Sequence, residues 1–265
     1  MKTILGWFKG RPVYLLDSQE DDERIIPFLN RMFGTDTEDN LNYHFLICES
    51  PNGELVATYR YALERSISQS NTDKYYIFSG EYERFIRPRA LQLGRTAADS
   101  ADHLSLYAIL KAGVGPCIYH HMKNDGVIYI TGQPTLQDKF FSHEAQCAIY
   151  SLFFQSFGAE SLFMPREPAF NVEDLTQTYK FSPYHNGGKD ELAQILFSLG
   201  CKRKPTLFYF YADLVDKGIR VGLPVENKQL EGTEMFVCVN AMDFPESKKV
   251  EFFGPDYAKD MMITN

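Results

Sequence analysis

The sequence predicts a mixed α/β fold in which strands and helices alternate behind an early antiparallel hairpin. Three observations carry that prediction. Apolar residues fill 44% of the 265 positions and aromatics 14%, enough for a packed core without disulfide or metal staples. Ser50-Pro51-Asn52-Gly53 is a turn cluster between two strand-like arms. Downstream, short β-type runs alternate with amphipathic helical stretches, and the hairpin argues against a purely parallel sheet. Length and composition predict one large domain over residues 1–265, or two small ones at most.

Taken in order, the first element is a helix around Glu20–Phe33, with acidic residues at its start and Gly34 at its stop. Pro27 fits if the helix begins near Arg24. Phe45–Glu49 and Leu55–Leu63 form the hairpin; Val56, Thr58 and Arg60 share one face, Ala57, Tyr59 and Tyr61 the other. Ser66–Lys74 reads as a loop, and Tyr75–Phe78 as a short strand. Leu91–Ala98 reads as a strand whose Gly94 marks a bulge or a close backbone approach. Asp99-Ser100-Ala101-Asp102 offers capping residues for an amphipathic helix through Tyr107, Leu110, Val114, Cys117, Ile118 and His121. Pro116, with Gly113 and Gly115, should kink or split it. Asn124-Asp125-Gly126 is a turn, Val127–Thr131 a strand, and His143–Phe157 a helix closed by Gly158. Helices follow at Glu191–Leu199 and Thr206–Asp216, then strands at Ile219–Val225 and Thr233–Asn240.

Composition excludes several classes. Lys plus Arg number 27 against 35 for Asp plus Glu, a net charge of −8, which argues against a dedicated nucleic-acid binder. Five cysteines are scattered without a CxxC pair, as expected of reduced thiols rather than a disulfide scaffold. The first residues hold only a two-residue apolar run before Gly6, and no stretch approaches the roughly 20 residues that span a bilayer. A soluble, cytoplasmic chain is expected.

The common catalytic signatures GxSxG, GxxxxGK[ST], GxGxxG and HExxH are absent. His120-His121 with Asp125 invites a metal reading. Adjacent helical residues point about 100° apart, however, so His121 is assigned to the core side and His120 to solvent, with no metal. His143-Glu144 opens a helix, His185 sits in a loop, and Lys202-Arg203-Lys204 complements a helix end or meets an anionic carrier. The strand–helix junction after Ala98 is a place where phosphate can sit, because uncapped N–H groups and the helix dipole favour anions there.

These residues resemble a known family. Leu91-Gln92-Leu93-Gly94-Arg95-Thr96 is similar to the E-L-G-R-S strand of bacterial N-acyltransferases of the ornithine-lipid-synthase (hemolysin-like) type. The acyl-homoserine-lactone synthases are more distant cousins with a similar E-x-x-R, and both belong to the GNAT superfamily. Val56-Ala57-Thr58-Tyr59-Arg60 resembles the family's V-G-T-Y-R. Pro205-Thr206-Leu207, Tyr211, Leu214, Gly218, Val221-Gly222 and Pro224 resemble its P-P-L…Y…L-G…V-x-G-x-P ending, and Thr233-Glu234 falls where it has T-D.

The resemblance covers roughly Tyr43 to Asn240 and implies a GNAT-like fold, a twisted mixed sheet with helices on both faces and two central strands that splay. It implies an acyl carrier protein or CoA thioester as co-substrate, with no bound cofactor, and a small amine or amino acid as acceptor. Peripheral membrane contact is compatible with it. By the same resemblance, Gln92 and Arg95 take the catalytic positions, and Arg60 and Gln133 bind substrate. Leu93, Thr96, Ala97 and Ala98 hold the acyl-pantetheine arm, with Ser100, His103 and Ser105 near its phosphate.

Two departures stand out. Gln92 replaces the family's strand carboxylate, and an amide orients an amine but accepts no proton; the base lies elsewhere, is water, or is missing. Asp99-Ser100-Ala101-Asp102-His103 stands where the general Q/R-x-x-G-x-G/A phosphate loop would be, which disfavours plain acetyl-CoA-dependent acetylation. A degenerate relative that binds an acyl thioester or amino acid without turnover is the alternative.

Overall fold

The computed structural model describes residues 2–33, 43–67, 71–99, 104–215 and 217–263. In chain order the first elements are β1 (Lys2–Phe8), β2 (Arg11–Leu16), α1 (Ile25–Phe33), β3 (His44–Glu49), β4 (Leu55–Leu63), α2 (Asn71–Tyr75), β5 (Tyr76–Phe78) and β6 (Ala90–Ala98). A continuous helical run follows, made of α3 (Ser105–Ile109), a π-turn (Leu110–Val114) and α4 (Gly115–Asp125). Next come β7 (Tyr129–Gly132), β8 (Thr135–Gln137), α5 (His143–Phe157), β9 (Phe163–Pro165), α6 (Val172–Gln177), α7 (Gly188–Ser198) and α8 (Thr206–Asp213). The chain continues with β10 (Ile219–Val221), β11 (Val225–Asn227), β12 (Gly232–Glu234), β13 (Val237–Asn240), α9 (Glu246–Phe253) and α10 (Pro255–Ile263). The architecture is mixed α/β, as the alternation in the sequence predicts.

Two compact units divide the chain. The first holds residues 1–67, 89–130 and 245–265. Its sheet runs β1-β2-β3-β4-β6, antiparallel throughout, and continues to β7, whose start is tied in by the Ile128 N–H donating to the Arg89 carbonyl at 3.0 Å. Helices cover both faces. On one, Ile25, Phe28 and Leu29 of α1 pack against Leu16, Phe45, Ile47 and Ala62. On the other, the helical run lies so close that a Cβ on Gly113 would come within 2.7 Å of Val13 Cγ1.

Several local expectations hold with instructive changes. The Asn-Gly turn is present, but only Gly53 takes a positive φ (83°), and the Gly53 N–H bonds back to the Ser50 carbonyl. The acidic run precedes α1 instead of opening it: Asp21 caps a short 3₁₀ turn, and Asp22 pairs with Arg24. The helical run is split, as expected, at Leu110–Val114, and Pro116 does not end it. The proline enters α4 at the first turn, and the π-turn just before it absorbs the missing N–H. Gly115 has a second reason to be glycine, since a Cβ there would lie 1.7 Å from the Phe252 carbonyl oxygen at the end of α9. Asn124-Asp125-Gly126 is the end of α4, capped by Gly126 at φ 68°, instead of a free turn.

The second unit holds residues 68–88 and 131–244. Its centre is α5, buried from Ala145 to Phe154 and started by Ser142, whose hydroxyl accepts from the Ala145 N–H. Phe153 of α5 meets Phe208 of α8 and Tyr184. Around Phe236 gather Tyr76, Phe78, Tyr82 and Phe163, which ties β5 and β9 to the segment before β13. Strands pair as β8-β12-β11, β5-β9 and β10-β13, all antiparallel. Part of the expected loop at Ser66–Lys74 is helical, as α2.

Candidate functional site

The sheet register on β6 is where regular structure gives way. Arg60 of β4 pairs with Gly94 and Thr58 with Ala97, so two steps along β4 oppose three along β6. The extra residue places a bulge at Arg95-Thr96, opposite Tyr59. Bulges bend a strand, re-aim its side chains and leave backbone groups outside the ladder. Gly94 belongs to this irregularity and not to a close approach, because a Cβ there would meet nothing within 4 Å.

Register also decides which side chains share a face. Ala62 pairs with Gln92 and Arg60 with Gly94, and directly opposed residues project to the same side. Tyr43 precedes His44, the partner of Tyr61, so it falls on the Arg60 side. The three polar side chains meet there. The Arg60 guanidinium lies 3.9 Å from the centre of the Tyr43 ring, and the Tyr43 hydroxyl donates to Gln92 Oε1 at 3.3 Å. Arg60 is only 4% exposed and Gln92 6%. A guanidinium is expensive to bury, so its place among Phe45, Ile47 and Ala62 is the informative feature of this face. Stacking on a desolvated tyrosine offsets part of that cost. Its planar fork is suited to a carboxylate, and Gln92 to orienting an amine.

The other sequence-predicted residues distribute as follows. Leu93 and Ala97 are buried on β6, Thr96 and Ala98 half-buried, and the backbone of Arg95 forms the bulge. Ser105 is fully buried at the start of α3, after Leu104, which supplies no side-chain cap. Ser100 and His103 lie outside the described residues. Gln133 belongs to the second unit, where its Oε1 accepts from Thr72 Oγ1 at 3.1 Å.

On the opposite face of the first unit's sheet sits a polar cluster that sequence reasoning reached only in part. Cys117, His121 and Asp125 follow at four-residue intervals along α4, and His121 Nδ1 lies 2.8 Å from Asp125 Oδ2. The Tyr61 ring stacks on His44 and tilts against His121. His120 is exposed and His121 largely buried, as expected. Burial pushes the Cys117 thiol up to about 12, although a hydrogen bond with Tyr61 works the other way, so its protonated form is favoured. Burial also lowers the His121 imidazole, against the opposing pull of Asp125. Among the described residues, no group of three His, Cys, Asp or Glu side chains is placed to hold a metal. The alternation in β4 identified the faces but could not show that both are buried.

In the second unit, Tyr150, Thr233 and Gln146 form a buried chain of 2.8 Å hydrogen bonds, and Asn227 donates to Glu234 at 2.8 Å. No sequence signal reaches this network, because its members come from α5, β11 and β12.

No protein-family model matches the chain, and no curated protein matches it. Among solved structures it is similar to a chain assigned as a phosphinothricin N-acetyltransferase, at 11% identity and TM-score 0.30, over 86% of this chain and 98% of that one. It is also similar to GCN5 from Tetrahymena, at 9% identity and TM-score 0.28, over 71% of this chain and 91% of that one.

Proposed function

We propose that the chain, residues 1–265 taken as one domain, is a cytoplasmic GNAT-type N-acyltransferase of the ornithine-lipid-synthase branch. It moves a long acyl group from an acyl carrier protein or CoA thioester to the amine of a small amino-acid-like acceptor. The observation that carries the reading is the bulge at Arg95-Thr96 beside the buried Arg60–Tyr43–Gln92 group. β7 is four residues long and is tied in at the start of β6, whereas β6 continues to Ala98. The backbone of Leu93 and of the bulged half of β6, through Thr96, Ala97 and Ala98, is therefore assigned to the pantetheine arm. Ser105, with Ser100 and His103 before it, is assigned to its phosphate.

In this mechanism Arg60 and Arg95 hold the acceptor's carboxylate, and Gln92 orients its amine. The amine nitrogen attacks the thioester carbonyl, and backbone N–H groups stabilise the oxyanion. The C–N bond forms as the C–S bond breaks, and the departing thiolate takes up the proton the amine loses. Gln92 cannot mediate that transfer, so solvent carries the proton. One observation favours a second reading, a binder without turnover: Gln92 stands where the resemblance expects a carboxylate.

The test is release of free thiol from long-chain acyl carrier protein or acyl-CoA with pooled amino acids. Thiol release that depends on both thioester and amine supports the transferase. Ligand-dependent thermal stabilisation without thiol release supports the binder. Neither response would overturn both.

A further inference from the structure

Helix α7 ends on an apolar and basic surface that the acyl-transfer reading does not use. Phe197 is 85% exposed, the highest value for a large hydrophobic side chain among the described residues, and Leu199 beside it is 38% exposed. The helix end is held by local bonds. The Cys201 N–H donates to the Leu196 carbonyl at 2.9 Å and the Gly200 N–H to the Phe197 carbonyl at 3.0 Å, with Gly200 at φ 73°. That closure sets Lys202, Arg203 and Lys204 immediately after the exposed apolar pair.

The Arg203 guanidinium stacks 3.5 Å from the centre of the Phe140 ring, and the Lys139 ammonium lies 5.1 Å from the same ring. One aromatic side chain therefore gathers a fourth cation beside the run. None of these four cations forms an ion pair with a described residue. Asp138, next to Lys139, is already bonded by Gln146 Nε2 at 2.8 Å. A chain of net charge −8 thus carries a local positive surface with a protruding phenylalanine.

We propose that this surface docks the protein onto an anionic phospholipid bilayer, with the cations at the phosphate level and Phe197 and Leu199 in the acyl boundary. Charge complementarity selects the occupant. The four cations outnumber the two carboxylates beside Lys139, those of Asp138 and of Glu231, whose carbonyl accepts from the Asp138 N–H at 2.9 Å, so the local surface keeps a positive balance that suits a negatively charged bilayer. An exposed phenylalanine and leucine at one helix end form no groove for a partner's side chain, whereas insertion into a bilayer needs no shape complement. Each cation close to such a surface strengthens partitioning by about fivefold. This site is independent of the bulged strand, so its test is separate from the thiol assay.

The experiment is co-sedimentation of the full chain with phosphatidylcholine vesicles, with and without 30 mol% phosphatidylglycerol, at rising salt. Binding should need the anionic lipid and fall as salt rises. The triple variant Lys202→Gln, Arg203→Gln, Lys204→Gln should weaken partitioning by roughly a hundredfold. Phe197→Ser should remove the fraction that survives high salt. A control with Lys9→Gln, Lys217→Gln and Lys248→Gln makes the same charge change at exposed sites elsewhere and should bind nearly as the parent does. All substituted side chains are exposed, and an unchanged melting temperature verifies that each variant is folded. Equal binding to neutral and anionic vesicles, no binding to either, or equal losses in control and triple variant would overturn the proposal. So would retention by an acidic carrier protein through these residues with no vesicle binding.

Discussion

Replacing Gly115 with alanine tests the packing that fixes the helix after the bulged strand. An alanine Cβ there would lie 1.7 Å from the Phe252 carbonyl oxygen and 2.6 Å from its carbon, and real Cβ contacts essentially never fall below 3.0 Å. Both partners are backbone, so no rotamer change relieves the clash, and α9 must retreat from α4 by at least about 1.3 Å. Overpacking a filled site costs about 1–3 kcal/mol, and a backbone clash belongs at or above the upper end. Alanine returns about 1 kcal/mol through its better helix propensity. The net loss expected is about 2–3 kcal/mol, which lowers the melting temperature by roughly 5–10 °C at this chain length. Denaturant unfolding followed by circular dichroism measures it. Gly80→Ala is the control, because a Cβ there meets nothing within 4 Å, and its stability should stay within about 0.5 kcal/mol of the parent. A Gly115→Ala protein as stable as the parent would refute the close approach of α4 to Phe252.

Further outcomes follow from buried polar groups. Tyr76 donates its hydroxyl to the Leu223 carbonyl at 2.8 Å and accepts from the Phe236 N–H at 3.1 Å, deep in the second unit. Tyr76→Phe leaves both backbone groups without that partner and should cost roughly 2–4 kcal/mol in chemical denaturation. The His121 imidazole is held below its ordinary range by burial, while Asp125 raises it and charges on His120 and His44 lower it. The folded protein therefore binds this proton less readily than the unfolded chain. Its stability contribution is complete above about pH 6.5 and is lost as pH falls through the lowered value. Melting temperatures between pH 8 and 5 should drop more steeply for the parent than for His121→Gln; parallel curves would contradict the assignment. In the thiol-release assay, Arg95→Ala should lower turnover per enzyme by about tenfold to a hundredfold, the worth of charge-assisted hydrogen bonds. Gln92→Glu should raise it by about tenfold or more by restoring a proton acceptor on β6. An unchanged rate would remove Gln92 from the mechanism.

Much of the fold was legible because the strongest local signals coincide with tertiary structure. The hairpin arms of β3 and β4, the strand β6 and the helix α5 with its Gly158 stop all emerge from period and turn chemistry. The edge strand β1 and its neighbour β2 were missed because Lys2–Phe8 has no clean alternation: its ladder with β2 is itself irregular between Ile4 and Gly6. The C-terminal helices α9 and α10 carry a weak apolar pattern, and α9 is fixed by docking at Gly115, a contact far away in sequence. At the candidate site, Gly94 announced the bulge and the alternation in β4 placed Arg60 on the correct face. The meeting of Arg60, Tyr43 and Gln92 was not readable, since it depends on two strand registers at once. Pro116 with Gly113 and Gly115 signalled the division of the helix, and the π-turn at Leu110–Val114 shows how the run continues across it.

The account stands on the backbone of Gly94–Ala98 as the seat of the thioester arm. Amide hydrogen exchange of this segment, with and without saturating long-chain acyl-CoA or acyl carrier protein, addresses it directly. Exchange at Gly94–Ala98 should slow on addition of the thioester while the paired stretch Leu46–Cys48 stays unchanged. Protection that appears elsewhere and leaves Gly94–Ala98 untouched would contradict it.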